Sequence, residues 1–193
     1  MDLKFLHTTA ALEKSLSDLG NCDVDLEGNN LSRNGTLSLV ITLLEPERDV
    51  YLVDVTTLGR DTFTTAGADG RTLKAVPELK DIVKVFFDTR NDSDALFGLY
   101  EIRVAGIEDL QLMELASRNF SKRHINGLAK CIERDSALPL AEKREWKVNK
   151  ERGRKLFDPA TMPCSTSVRC QPRRKSIVCK TLSTCQPYVS SIG

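Results

Sequence analysis

The sequence predicts an α/β fold, on three observations. Apolar runs at Cys22–Glu27, Thr36–Leu44 and Val50–Val55 are separated by short polar loops and read as an antiparallel meander. Beyond Asp61 the chain alternates strand-like and helix-like segments, the pattern of a sheet with helices packed on it. The length, 193 residues with 40% hydrophobic and 28% charged, suffices for one domain with a sizeable core. Periodicity alone goes no further than α/β.

Each element has its own signal. Leu12, Leu16 and Leu19 recur at helical spacing, and Gly20 ends the run, so the spacing predicts a helix over Thr9–Leu19 that serves packing. Cys22–Glu27 is the first strand, followed by a polar, turn-rich stretch at Gly28–Asn34. Thr36–Leu44 is the second strand, Pro46–Asp49 a hairpin loop, and Val50–Val55 the third strand. Asp61–Gly70, rich in Thr and Gly, reads as a loop, and Thr72–Leu79 as a short helix. Asp81–Phe87 is an apolar run bounded by charge, hence a buried strand. Asp92–Tyr100 is a helix with Leu96 and Tyr100 on one face, then Ile102–Ala105 a short strand. Asp109–Ser117, Ile125–Glu133 and the long, charged Ala141–Leu156 are helices.

Chemistry concentrates in the first strand. Asp25 and Glu27 stand two apart and so share a face, while Val24 and Leu26 point the other way, into a core. Two carboxylates side by side repel each other. A divalent cation relieves that, and Mg²⁺ and Mn²⁺ prefer carboxylate oxygens. For a lone D-x-E a solvated strand face is the better account, because the pattern is short.

The surroundings add a resemblance. Val24-Asp25-Leu26-Glu27-Gly28, then Leu31-Ser32-Arg33-Asn34-Gly35-Thr36-Leu37-Ser38-Leu39 and Tyr51-Leu52-Val53-Asp54-Val55, resemble the first motif of the DEDD (DnaQ-like) superfamily of 3′–5′ exonucleases. The branch is the ribonuclease D/Werner type, in a form common in fungi. The likeness runs from about Asp23 to about Phe157 and is most specific before Arg118. The stretch from Lys84 to Phe97 is similar to the family's second motif. The family's acid lies eight residues past the strand's Lys, which selects Asp92. In one branch it aligns at Asp94, which stays as the alternative. An Asp at a helix start is also a standard N-cap, worth about 1 kcal/mol. Val104–Gln111 is similar to the next strand–helix junction, where Asp109 is expected to be a cap.

The resemblance implies a ribonuclease H-like mixed sheet with flanking helices. It implies hydrolysis of nucleic acid from a single-stranded 3′ end with two divalent cations, Mg²⁺ or Mn²⁺, about 3.5–4 Å apart. Asp25 would bridge the two ions, Glu27 would bind one, and Asp92 (or Asp94) would help hold the second.

The family's third motif, Tyr-x₃-Asp on a late helix, is missing. After Phe157 the first Tyr is Tyr188, and no acid follows Asp158, so the fold is expected to be C-terminally incomplete. His124 comes too early for the histidine variant of that motif and is expected to be a surface or cap residue. The organisation read from the sequence is a lead-in at 1–20, the exonuclease-like domain at 21–158 and an irregular Cys-rich tail at 159–193. The tail's Cys164, Cys170, Cys179 and Cys185 lack the close pairs of a zinc site.

Read one base out of register, the codons for Ser176–Pro187 permit YCVQDVKYLPA, and those for Cys164–Pro172 permit FNVRPLPA. Both are what the family carries here, and the first contains Tyr-x₃-Asp. The hypothesis is that the chain leaves its ancestral frame near Asp158–Ala160. DNA bases that cannot spell the second frame overturn it. Loss of the final helix predicts exposed apolar surface around Val85, Phe87 and Leu96.

Net charge is +1. From Thr161 onward there are five basic residues and no acid, which leaves 23 basic and 27 acidic residues before it. An acidic body argues against a broad basic nucleic-acid face and fits an acidic site that meets phosphate through a metal. Lys122-Arg123-His124 and Lys143-Arg144 read as solvated helix faces. No apolar run is long enough to span a membrane, and the N-terminus lacks a signal peptide's pattern, so an intracellular address is expected. Two readings compete with catalysis. One is a non-catalytic nucleic-acid- or protein-binding member of the same fold, and the other an unrelated small α/β protein.

Overall fold

The computed structural model describes residues 2–18, 22–44 and 49–156. Leu19, the loop predicted at Pro46–Asp49 apart from Asp49, and the Cys-rich tail lie outside the described residues. The described residues fall into two compact units, 2–108 and 109–156.

A six-stranded sheet organises the first unit, in the order β1-β4-β3-β2-β5-β6. Its strands are β1 (Leu3–Leu6), β2 (Cys22–Glu27), β3 (Leu39–Leu44), β4 (Asp49–Asp54), β5 (Lys84–Phe86) and β6 (Ile107–Asp109). β2, β3 and β4 form the predicted antiparallel meander, in register Asp25 opposite Ile41 and Glu27 opposite Leu39. β1 pairs parallel with β4, and β5 parallel with β2. β1 is new, because four residues (Leu-Lys-Phe-Leu) are too few for a period to show.

One face of the sheet carries the main core. Leu26, Val40, Tyr51, Val53 and Leu6 pack there with Leu12 and Leu16, Leu96 and Ile102. Leu12 and Leu16 come from α1 (Thr9–Ser15) and the 3₁₀ turn after it (Leu16–Asp18), the helix that their spacing predicts. The alternate residues Leu39, Ile41, Leu43, Val50 and Leu52 are also buried, so β3 and β4 are buried on both faces.

The 55–79 region holds more helix than the sequence suggests. α2 (Val55–Leu58) follows β4 at once, because Asp54 caps it by accepting from the Thr57 amide (3.0 Å) and hydroxyl (2.8 Å). α3 (Asp61–Thr64) is a single turn inside the predicted loop, and α4 (Ala75–Glu78) is the predicted short helix. The strand predicted at Ile102–Ala105 does not form. The helix before it, α5 (Arg90–Tyr100), stops on left-handed Glu101, and the Ala105 amide donates to the Pro77 carbonyl. Pairing waits for Gly106, whose φ of 63° and close backbone neighbours require glycine. Its carbonyl accepts from the Lys84 amide, and β6 follows.

Leu96 is 2% exposed, contrary to the expectation of uncovered apolar surface, while Val85 and Phe87 are half-buried. Leu96 faces inward because α5 lies on the core side of the sheet.

The second unit holds three helices, α6 (Leu110–Ser117), α7 (Leu128–Asp135) and α8 (Leu140–Leu156). Asp109 caps α6 as expected, accepting from the amides of Gln111 (2.9 Å) and Leu112 (3.4 Å). α7 begins three residues later than its pattern suggests. Asn126 is held outside it, donating to Glu114 and accepting from Gln111. His124 is exposed, and its carbonyl accepts from Arg118. Among the described residues no helix is long and apolar enough to cross a membrane.

Candidate active site

The sheet's parallel pair, β2 and β5, decides where the acids stand. Pairing between them covers Cys22–Lys84 and Asp23–Val85 and then stops. Asp25 and Glu27 therefore lie on the C-terminal half of β2, beyond its pairing with β5 and still paired with β3. Leu26, between them, is 5% exposed in the core, so strand alternation puts both carboxylates on the other face. Their cross-strand neighbours there, Ile41 and Leu39, are fully buried, so one wall beside the acids is apolar.

The chain leaves β5 at the same end of the sheet and turns into α5. Asp88 takes a left-handed conformation (φ 64°), and Arg90 closes the turn with two hydrogen bonds to its carboxylate, at 2.6 and 2.8 Å. That guanidinium holds the Asp88 carboxyl below the usual carboxylate range. Ligands of α/β sheets gather outside the carboxyl ends of the strands, which is where this junction lies.

Asp92 is 9% exposed and sits in the first turn of α5. It is not the N-cap, which the sequence reading had allowed. The helix starts two residues earlier, and Thr89 takes the cap position. An acid in a helix's first turn is still favoured by the helix dipole.

Asp94 is engaged elsewhere. Its carboxylate accepts from Arg33, from the backbone amide at 2.9 Å and Nε at 2.7 Å, with Nη2 at 2.5 Å. The guanidinium keeps the Asp94 carboxyl below its ordinary value. Arg33 belongs to the loop after β2, and sequence reasoning missed it as a partner. The overlooked signal was Gly98, a glycine inside a helix, which marks a close approach. A Cβ there would lie 2.4 Å from the Arg33 Cβ and 2.9 Å from its Cα.

Lys84 was also missed. It is fully buried, and its ammonium donates to the Leu79 carbonyl. It lines a small cavity with Val24, Leu26, Thr42 and Leu96, where the Thr42 hydroxyl has no hydrogen-bond partner.

Oxygen-only carboxylate donors suit a hard divalent cation. Asp25 and Glu27 are side-by-side donors of this kind, and Asp92 is nearly buried at the same end of the sheet. Among the described residues, no three His, Cys, Asp or Glu side chains are gathered closely enough to hold a metal ion. The donor set thus fits in chemical type, with two members on one strand and the third on the neighbouring helix.

No protein-family model matches the chain, and neither does any curated protein. Solved structures do. The chain is similar to RNase D of Trypanosoma brucei at 19% identity, with a TM-score of 0.72 over 98% of this chain and 65% of that one. It is similar to a mutant form of the catalytic core of RRP6 from T. brucei at 18% identity, TM-score 0.53, over 98% of this chain and 50% of that one. Brucella melitensis NrnC bound to pGG matches at 12% identity, TM-score 0.54, over 100% and 80%. This chain spans less than two thirds of the length of the first two. The likeness is one of fold, and the fold is a ribonuclease H-like mixed sheet with flanking helices.

Proposed function

We propose that the chain is a DEDD-type 3′–5′ exonuclease domain that hydrolyses nucleic acid from a single-stranded 3′ end with the help of Mg²⁺ or Mn²⁺. One observation carries the reading. Asp25 and Glu27 share the non-core face of β2 beyond its pairing with β5, and Asp92 lies in the first turn of the helix that follows β5. Support also comes from T. brucei RNase D, whose structure has been solved with RNA and has the same fold at a TM-score of 0.62.

Asp25, Glu27 and Asp92 would hold the cations. Asp92 is preferred to Asp94, whose carboxylate is taken by Arg33. A divalent ion at such carboxylates supplies an activated water and stabilises the leaving oxygen. The residues' own part is to present oxygen ligands against the apolar wall of Leu39 and Ile41.

The sequence favours one second reading. With no Tyr-x₃-Asp segment in the printed frame, this chain is a binding-only form, and the segment read in the second frame would restore catalysis.

The test is a 5′-labelled single-stranded RNA incubated with Mn²⁺ and either this chain or a version carrying the second-frame segment after Phe157. Stepwise shortening from the 3′ end, abolished by Asp25→Asn, supports the exonuclease. Mn²⁺-dependent RNA binding without shortening by this chain, with shortening by the version carrying the segment, supports the binding-only reading. Shortening unaffected by Asp25→Asn sinks the site assignment.

A further inference from the structure

The loop between β2 and β3 is closed on itself. Ser38 donates its amide to the Glu27 carbonyl at 2.8 Å, Thr36 to Asn29 at 3.0 Å, and Gly35 to Ser32 at 3.0 Å. Gly28 and Gly35 leave no room for side chains, since a Cβ at either would fall within 2 Å of a loop carbonyl oxygen. Asn30 adopts a left-handed conformation to complete the turn. A loop so tightly bonded moves as one piece, and it begins at the residue after Glu27.

Arg33 joins that piece to α5. Its backbone amide and its guanidinium all engage one carboxylate, Asp94. One helical turn further on, Gly98 leaves room for the Arg33 backbone and Cβ to rest on the helix. Three features thus converge on one contact: a fork-shaped donor, a carboxylate two residues after Asp92, and a glycine placed where any side chain would collide. Nε and Nη2 of the guanidinium approach one carboxylate oxygen, Oδ1, and the Arg33 amide donates to the other, so both oxygens are held by one residue and the contact fixes orientation as well as distance.

We propose that Arg33 is a positioning residue whose grip on Asp94, seated over Gly98, fixes the spacing between the strand end bearing Asp25 and Glu27 and the helix start bearing Asp92. The proposal rests on the reading of those three acids as the cation site. It also gives Asp94 a role other than ligand. Residues that orient metal ligands typically cost about ten- to a hundredfold in metal affinity when removed.

The experiment uses the full chain, with Arg33→Ala, Gly98→Ala and Asp25→Asn. Arg33 and Gly98 are exposed, so both substitutions leave the core intact. Gly98→Ala alters no charged group and only crowds the seat. The first readout is amide hydrogen exchange without metal at residue 33, whose N–H donates to Asp94 across the clasp. The second is Mn²⁺ affinity by calorimetry.

Arg33→Ala and Gly98→Ala should each speed exchange about tenfold and weaken Mn²⁺ binding about tenfold. Asp25→Asn should abolish Mn²⁺ binding and leave exchange as in the parent chain. Unchanged exchange in both Arg33→Ala and Gly98→Ala overturns the clasp. Unchanged Mn²⁺ affinity in Gly98→Ala, or tighter binding in Arg33→Ala because a released Asp94 becomes a ligand, overturns the positioning role. Equal Mn²⁺ binding by the parent chain and Asp25→Asn overturns the cation site itself and the positioning role with it.

Discussion

At the scale of single residues, the most buried ion pair among the described residues is that of Glu114 and Arg118, with side chains 6% and 2% exposed. Arg118 donates Nε to Glu114 at 3.0 Å and Nη1 to the Ser121 and His124 carbonyls, while Asn126 donates to the same carboxylate. Removing Arg118 leaves the Glu114 carboxylate with Asn126 but without its guanidinium, so Arg118→Ala should destabilise the fold, read as a lower midpoint of urea unfolding. The guanidinium, seconded by Asn126, holds the Glu114 carboxyl below the usual range. Folding therefore favours the ionised form. Its contribution is complete above the ordinary glutamate value of about 4.3 and fades as pH falls through the lower folded value. Acid unfolding in that window should flatten in Glu114→Gln; an identical profile sinks the assignment. Among single residues, Asp25 and Glu27 were legible because strand alternation alone puts them on one face. The contact between Arg33 and Asp94 was not, although Asp94 was held as an alternative ligand. The two stand 61 residues apart, and a local pattern reports nothing about such pairing.

Elements were legible where a period was long enough to count. β2 runs over Cys22–Glu27, as its pattern predicts; Leu12 in α1 and Leu16 in the turn after it are buried at helical spacing, and in α5 Leu96 is buried with Tyr100 packed against the core. Short elements escaped, since β1 and α3 have four residues each. Backbone exceptions escaped too. Glu101 and Gly106, both left-handed, moved a strand from 102–105 to Ile107–Asp109. The head of α5 offers a test that separates structure from site. As an acid in the first turn but not a cap, Asp92 is favoured by the helix dipole in the metal-free fold. Asp92→Asn should remove most of the Mn²⁺-induced rise in Tm. A large metal-free loss with the Mn²⁺ effect intact would make Asp92 structural. Asp109 is the contrasting case, a true cap, and Asp109→Ala should cost about 1 kcal/mol with no change in Mn²⁺ response.

For the whole molecule, charge decides how nucleic acid is met. Before Thr161 the chain carries 23 basic and 27 acidic residues. A protein that binds single strands through a basic face releases one condensed cation, to a factor of about 0.7, for each phosphate neutralised, and its affinity falls steeply with salt. An acidic body with a carboxylate site has few such contacts to offer. On the proposed function it would meet phosphate through a bound divalent ion, because bare carboxylates repel the backbone. Two outcomes are expected together in fluorescence anisotropy with a short single-stranded RNA. Binding should vanish when EDTA removes the divalent ion. In constant Mn²⁺, the slope of log affinity against log monovalent salt should stay shallow, at about two phosphates' worth or less. A steep slope that persists in EDTA would locate binding on a basic surface instead. With the five basic tail residues lying after Thr161, a chain ending at Phe157 would then show whether that surface is the tail. Loss of the steep component in the shortened chain would assign it there, and its retention would assign it to the body.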